Sequence, residues 1–267
     1  MMSNNKQVIV VTGASSGIGN AIATFFAEKG FVVYGLSRRT FQDDKIISLS
    51  CDVTSKDQAK ETLANIFNKE GRIDLLVNNA GFGISGSVEN QQMEDIKKMY
   101  DVNFFGVVNM TQEVLPYMRK QGFGKIISTG SVAGNIPIPF QSFYSATKAS
   151  LDIWTKALRM EVQPFGVQVG AVIVGDTKTG FTSQRQKEQK DLESDYKEVV
   201  MRSVAKMEHD EQNGKHPETV AKVVFKMFSR KKMPATKAVG ILYKTLLFLQ
   251  KILPQSFMLW IVKKLYC

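Results

Sequence analysis

The strongest constraint on this chain is a set of six apolar, β-branched runs, at 7–12, 31–36, 45–50, 73–78, 124–129 and 167–174. Several are continuously apolar rather than alternating, as in strands covered on both faces. The segments between them are long enough for crossover helices, which join parallel neighbours. This strand–helix alternation predicts an α/β fold with a doubly wound parallel sheet in a single domain. The length agrees: 267 residues, 43% apolar and 22% charged, allow one large core and exclude global disorder.

Cys51 and Cys267 are too few for a disulfide framework or a zinc cage, so a reduced, cytoplasmic setting is expected. His209 and His216 have no ligand spacing, and no metal site is expected. The polar start, residues 1–7, lacks the pattern of a secretory leader. A net charge of +10 points to an anionic partner: nucleic acid, a membrane surface or a phosphorylated cofactor. No recognition-helix or aromatic–basic sheet motif supports nucleic acid.

The first run ends in Thr12-Gly13-Ala14-Ser15-Ser16-Gly17-Ile18-Gly19, and residues 20–29 follow as a helix. Gly13 permits a sharp turn, Gly17 lets backbone approach a diphosphate, and Gly19 allows close helix packing. The helix N-terminus offers free N–H groups to phosphates. Ser15, Ser16 and Ile18 therefore join the three glycines as candidate cofactor residues of a Rossmann-type dinucleotide site. The second run ends in Ser37-Arg38-Arg39, without the carboxylate that would bind the free ribose hydroxyls of NAD. A hydroxyl and two guanidinium groups suit a 2′-phosphate, so NADP(H) is preferred and NAD(H) possible. Asp52, followed by Val53, is placed to accept from the adenine amino group, or to cap the next helix.

Tyr144 and Lys148 stand four apart in a helix expected to reach about Val162, which puts them on one face. The ammonium can then lower the phenol pKa toward neutrality and ready it for proton exchange with an alcohol or carbonyl. Ser131 follows the apex of the fifth run, and Asn78-Asn79-Ala80-Gly81 ends the fourth at the same sheet edge. Asn103 is expected in a helix beginning near Met93.

With these motifs in place, the chain resembles the short-chain dehydrogenase/reductase family from residue 7 to about 182. The matching features are T-G-A-S-S-G-I-G at 12–19, C-D-V at 51–53, N-N-A-G at 78–81, Asn103, Ser131 and Y-S-A-T-K at 144–148. The resemblance implies a catalytic tetrad of Asn103, Ser131, Tyr144 and Lys148. Tyr144 would exchange the proton, Ser131 polarise the carbonyl oxygen, Lys148 hold the nicotinamide ribose, and Asn103 hold a relay water. The cofactor contacts would include Asn79, Ala80, Gly81, Tyr144, Lys148 and Thr179. Where the family has Pro-Gly after the sixth strand this chain has Val174-Gly175, which puts that loop's rigidity in question. A homodimer or homotetramer through the helices of Asn103 and Tyr144 is also implied.

Residues 1–240 read as the dinucleotide-binding and catalytic domain. Within them, 182–216 is polar and charge-dense, with Tyr196, Val199, Val200, Ser203, Val204 and Met207 spaced on one helical face. It is expected to be a substrate lid or an ordinary surface helix pair. Pro217 should open a helix reaching about Phe228.

Residues 241–267 form an apolar, basic helical extension that resembles those of hydroxysteroid and retinol dehydrogenases in composition. Its longest uncharged run is the eleven residues 252–262, interrupted by Pro254, against about twenty for a membrane span. Lys244, Lys251, Lys263 and Lys264 among Leu, Phe and Trp residues fit an interfacial helix, and helices packed on the body or between subunits fit as well.

The expected function is an NADP(H)-dependent oxidoreductase interconverting a secondary alcohol and a ketone, on a hydroxysteroid or similar apolar lipid. A catalytically silent scaffold of the same fold is the alternative, and the complete tetrad argues against it.

Overall fold

A computed structural model describes residues 6–267; the first five residues of the polar start lie outside it. The strands are β1 (Val8–Thr12), β2 (Val32–Ser37), β3 (Ile47–Ser50), β4 (Leu75–Asn78), β5 (Ile84–Ser85), β6 (Gly124–Ser131), β7 (Val167–Val174), β8 (Gln186–Lys187) and β9 (Thr236–Ala238). Seven of them form one sheet in the order β3-β2-β1-β4-β6-β7-β9, with every pairing parallel. The six expected runs all lie in it, trimmed by up to two residues at their starts. Chain order reverses between β1 and β4, the switch point where such sheets bind ligands at their carboxyl edge.

Alternate residues of each strand serve opposite faces. Ile9 and Val11 pack with α1 (Gly17–Glu28) and α8 (Pro217–Phe228) through Phe26, Val224 and Met227. Val8 and Val10 pack with α2 (Lys56–Glu70), α4 (Gly106–Gln121) and α5 (Ser142–Val162) through Leu63, Val114 and Leu158. Burying both faces explains why the runs are continuously apolar.

Two boundaries differ from expectation. Helix α1 begins at Gly17 rather than residue 20, so the glycine turn itself supplies the first helical turn. The helix expected from Met93 ends as α3 (Met93–Tyr100) and passes through a π-helical turn at Asp101–Phe105 before α4 begins. The Gly106 N–H reaches back to the Asp101 carbonyl, and Asn103 lies at the centre of that wider turn.

Segment 182–216 contains the end of α6 (Phe181–Gln184), strand β8, and α7 (Lys197–Gln212). Helix α7 buries Val200, Ser203, Val204 and Met207 of the expected face and half-buries Val199, whereas Tyr196, expected on the same face, stands exposed just before the helix begins. Strand β8 pairs with β5 in a separate two-stranded ribbon. The fully buried Asp191 carboxylate accepts from Ser87 N (2.8 Å), Ser87 Oγ (2.5 Å) and Asn90 Nδ2 (2.7 Å). The segment is thus fastened to the loop after β5 by charge-assisted bonds.

The extension forms α9 (Ile241–Ile252) and α10 (Gln255–Tyr266), hinged at Pro254. Met258 and Val262 pack on Ile136, while Ile241, Phe248, Ile252, Trp260 and Leu265 stay exposed. Among the described residues no helix is long and apolar enough to cross a membrane.

Candidate active site

At the carboxyl edge of the sheet, Gly13 and Gly17 take the left-handed backbone region, φ +65° and +56°. A side chain at Gly13 would lie 2.9 Å from the Ala80 Cα, so the turn after β1 touches the end of β4. A Cβ at Gly19 would run into the Gly13 carbonyl. A Cβ at Gly17 would meet Thr179 at 3.4 Å, which brings the loop after β7 onto the glycine turn. Ser16 precedes α1 without a side-chain cap bond, so its hydroxyl is uncommitted to the helix. Ser15 is exposed, and Ile18 is partly buried against the core behind the turn.

Thr12, absent from the sequence-based candidates, organises this edge. Its buried hydroxyl accepts from Asn79 N at 2.9 Å and Ala80 N at 3.1 Å. Asn79 Nδ2 returns a bond to the Thr12 carbonyl at 3.2 Å, and Asn79 Oδ1 accepts from Thr129 Oγ1 at 3.3 Å. The sequence signals for Thr12 are its place as the last residue before the glycine turn and as the first of the T-G-A-S-S-G-I-G motif.

Arg38 and Arg39 are exposed beyond β2, and neither pairs with a carboxylate among the described residues. The Ser37 hydroxyl donates to the Arg39 carbonyl at 2.5 Å, and Ser50 Oγ donates to the Arg38 carbonyl at 3.2 Å. These bonds shape the backbone that presents the two guanidinium groups. Asp52 does not cap α2; Ser55 does, accepting from Gln58 N. Asp52 Oδ1 instead accepts from Thr54 N and Thr54 Oγ1, at 2.9 and 2.8 Å. Val53 packs against Gly106, where a Cβ would sit 2.6 Å away.

The four tetrad residues converge. Lys148 and Tyr144 share a face of α5, with the ammonium 5.8 Å from the phenol ring. Lys148 Nζ donates to the Thr129 carbonyl at 3.0 Å. Ser131, the last residue of β6, stands beside Tyr144 and holds its phenol pKa down, and its Oγ accepts from Ala133 N at 3.1 Å. Asn103 is fully buried: its Oδ1 accepts from Phe82 N (3.0 Å), and its Nδ2 donates to Phe82 O (2.9 Å) and Thr147 Oγ1 (3.3 Å). Its side chain therefore clamps the chain beyond Gly81, whose Cβ position lies 3.0 Å from Asn103 Oδ1 and 3.7 Å from Lys148 Nζ.

The electrostatics reverse one expectation. Burial pushes the Tyr144 phenol up to about 12, only partly countered by the Ser131 hydrogen bond. Burial also pushes the Lys148 ammonium down to about 8. Desolvation dominates both shifts, so Tyr144 stands protonated at neutral pH.

Beyond β7 the missing proline is replaced by a contact from the extension. The Tyr243 ring of α9 lies flat on Gly175, with no room for a Cβ there. Its hydroxyl accepts from Asp176 N at 2.9 Å and donates to Asp176 Oδ2 at 2.5 Å. On the other side, Lys215 N donates to the Asp176 carbonyl at 3.0 Å and Lys178 N to the Lys215 carbonyl at 2.9 Å. Thr179 ends this pinned loop, and its Oγ1 accepts from Phe181 N at 3.2 Å.

An ion pair of buried Arg185 and partly exposed Glu211, which no sequence pattern singles out, lies near Tyr144. Arg185 bridges Glu211, whose Oε2 also accepts from Thr182 Oγ1 at 2.6 Å.

Comparison with known proteins agrees with this geometry. Residues 7–190 match the short chain dehydrogenase family model. A 3-ketodihydrosphingosine reductase of Bacteroides thetaiotaomicron is 40% identical over 263 residues, covering 97% of this chain and 98% of the relative. An NADPH-dependent 1-acyldihydroxyacetone phosphate reductase of Schizosaccharomyces pombe is 32% identical over 67% of this chain and 62% of the relative. Among solved structures, a short-chain dehydrogenase from Streptomyces avermitilis superposes with a TM-score of 0.79 at 29% identity, covering 92% of each chain.

Proposed function

The chain belongs to the short-chain dehydrogenase family, and we propose that it is an NADPH-dependent reductase of a long-chain lipid ketone of the 3-ketodihydrosphingosine type. The observation that carries this reading is the reach of the likeness to the Bacteroides thetaiotaomicron reductase. It covers 97% of the chain and so extends well past residue 190, where the family match ends.

The residues at the sheet edge fit the dinucleotide. Gly13 and Gly19 let the turn close tightly on itself and on the end of β4, and Gly17 leaves the start of α1 bare of a side chain where a diphosphate would lie. Arg38 and Arg39, free of carboxylates, suit a 2′-phosphate, and Ser37 suits the ribose. The Asp52 carboxylate edge and Val53 suit the adenine. Asn79, Ala80, Gly81, Tyr144, Lys148 and Thr179 are assigned to the nicotinamide half, with Ser15, Ser16 and Ile18 at the diphosphate. When bound, NADPH supplies the hydride.

Each residue of the tetrad then has a distinct task. Ser131 holds the carbonyl oxygen and Tyr144 donates the proton to it. Lys148 holds the ribose and carries charge near the phenol, favouring the phenolate as the proton leaves. Asn103 fixes the turn at Phe82, so that Gly81 and Lys148 keep their spacing. A phenol protonated at neutral pH suits reduction, where it must give a proton. All four groups are present and converge, which speaks against a silent scaffold.

The relatives named above include no hydroxysteroid or retinol dehydrogenase, so the apolar extension supports only an apolar substrate, and a steroid ketone is the second substrate tested. Exposed Phe105, Ile153 and Met160, beside and on the helices of Asn103 and Tyr144, support a homo-oligomer through that face. Exposed Phe248, Phe257 and Trp260 with Lys244, Lys251, Lys263 and Lys264 support peripheral contact with an anionic membrane, where a lipid substrate would be met.

The test follows NADPH oxidation with 3-ketodihydrosphingosine, a steroid ketone and a short ketone. The long-chain ketone should give the highest kcat/KM. Equal or greater efficiency with the steroid or the short ketone overturns the proposal.

A further inference from the structure

We infer that the pair of buried Arg185 and partly exposed Glu211 is the subsite for the polar head of the substrate, with Glu211 taking the ammonium on the carbon beside the ketone and Arg185 the hydroxyl oxygen on the next carbon. This inference rests on the long-chain reading above and names which part of the lipid the protein recognises.

The pair is built into the substrate side of the site. Arg185 lies between α6 and β8, and Glu211 in the last turn of α7. The Arg185 guanidinium sits 5.6 Å from the Phe181 ring, which lies 5.9 Å from the Tyr144 ring. Both charges are near enough to act on the Tyr144 phenol. Gln141, three residues before Tyr144, completes the enclosure: with its amide oxygen facing the guanidinium it accepts from Arg185 Nε at 3.1 Å and Nη2 at 3.2 Å.

The bonding is incomplete in one place. Nε and Nη2 are engaged by Gln141 and Glu211, whereas Nη1 is buried with no acceptor among the described residues. A buried guanidinium N–H without a partner calls for an oxygen supplied by a ligand. Glu211 holds Arg185 on one oxygen and Thr182 on the other, yet its side chain remains 14% exposed while that of Arg185 is wholly buried. A carboxylate has about four acceptor positions, so an ammonium can still join it.

The result is one buried, unpaired donor and one partly exposed carboxylate near Tyr144. That set complements a ketone with an amine on the adjacent carbon and a hydroxyl on the carbon beyond it, as in 3-ketodihydrosphingosine, and gives a plain hydrocarbon ketone nothing to bond. The Phe181 ring, close to both the guanidinium and Tyr144, is the side chain that yields as the head enters. A site built to bond polar groups also rejects analogues lacking them, because its own groups are then left unpaired.

The experiment compares three ketones of equal chain length: 3-ketodihydrosphingosine, its N-acetyl derivative, and the ketone with neither amine nor hydroxyl. The full-length enzyme should favour the first over the last by about tenfold or more in kcat/KM, with N-acetylation removing most of that preference. Glu211→Gln and Arg185→Met should each bring the ratio toward one, mainly through KM. NADPH affinity and Tm show whether each variant is folded; where one is not, the comparison of free amine with N-acetyl amine in the wild-type enzyme decides. Equal reduction of all three ketones, or a ratio unchanged in both folded variants, overturns the head-group assignment alone. Reduction of a steroid or short ketone with none of the three reduced is the failure of the long-chain reading itself.

Discussion

The Tyr243 hydroxyl accepts from the Asp176 backbone N–H and donates to the Asp176 carboxylate, joining residues 67 apart in sequence. One side chain of the extension thereby fixes both the backbone and the side chain of the loop that carries Thr179. Burial raises the Asp176 carboxyl, the Tyr243 bond counters it, and burial with the same bond raises the Tyr243 phenol.

Tyr243→Phe keeps the ring on Gly175 and removes both bonds. NADPH affinity should fall about three- to thirtyfold, as expected for losing one or two hydrogen bonds in the loop. Fluorescence titration with NADPH measures it, and an affinity unchanged within twofold would detach the extension from the cofactor loop.

Tyr144→Phe should lower turnover by about 10²- to 10⁴-fold, since the phenol is the proposed proton donor. The cofactor Kd should stay within about threefold, because the phenol contributes little of the dinucleotide affinity. Activity retained within tenfold would remove Tyr144 from its role.

Lys148 links function to pH. Its folded pKa is lowered from 10.5 to about 8 by burial. Between those values the unfolded chain keeps a proton that the folded chain has released, so this lysine makes stability rise with pH. Lys148→Met should abolish that share of the rise and stabilise the fold at pH 7 by roughly 1–3 kcal/mol, while turnover collapses. Urea titrations of both proteins at pH 7 and pH 10 test it, and a variant less stable at pH 7 contradicts it.

Cofactor choice rests on the end of β2. NADPH should exceed NADH in kcat/KM by about ten- to hundredfold, the worth of a charge-assisted bond to the 2′-phosphate. Ser37→Asp with Arg38→Ala should reverse the order. Equal use of both cofactors, or an unmoved preference in the double variant, shows that Arg38 faces only solvent.

Features set by neighbours along the chain are legible in the amino-acid sequence. The continuous apolar runs mark the parallel sheet, the glycine spacing marks the turn into α1, and the four-residue interval places Tyr144 and Lys148 on one face. Features set by distant neighbours are not legible. Arg185 and Glu211 are 26 residues apart, and nothing local tells either that the other will lie beside it. The π-helical turn at Asn103 accompanies a clamp on Phe82, 21 residues earlier. The direction of the Tyr144 shift is hidden for the same reason: adjacency to a lysine is visible in a sequence, and the depth at which both are buried is not. Asp52 reads equally well as a helix cap until Ser55 takes that position.

The two-sided pinning of residues 175–179 also has a consequence for the order in which the molecule is made. By the time residue 179 leaves the ribosome, every proposed contact to the dinucleotide and all four tetrad residues exist. The supports of that loop, Lys215 and Tyr243, and the edge strand β9 are synthesised later. These are contacts of high sequence separation, the slow kind to form. A nascent chain therefore carries its complete chemistry before it has the means to hold it, and full affinity for the cofactor should arrive only once Tyr243 has emerged and docked on Gly175.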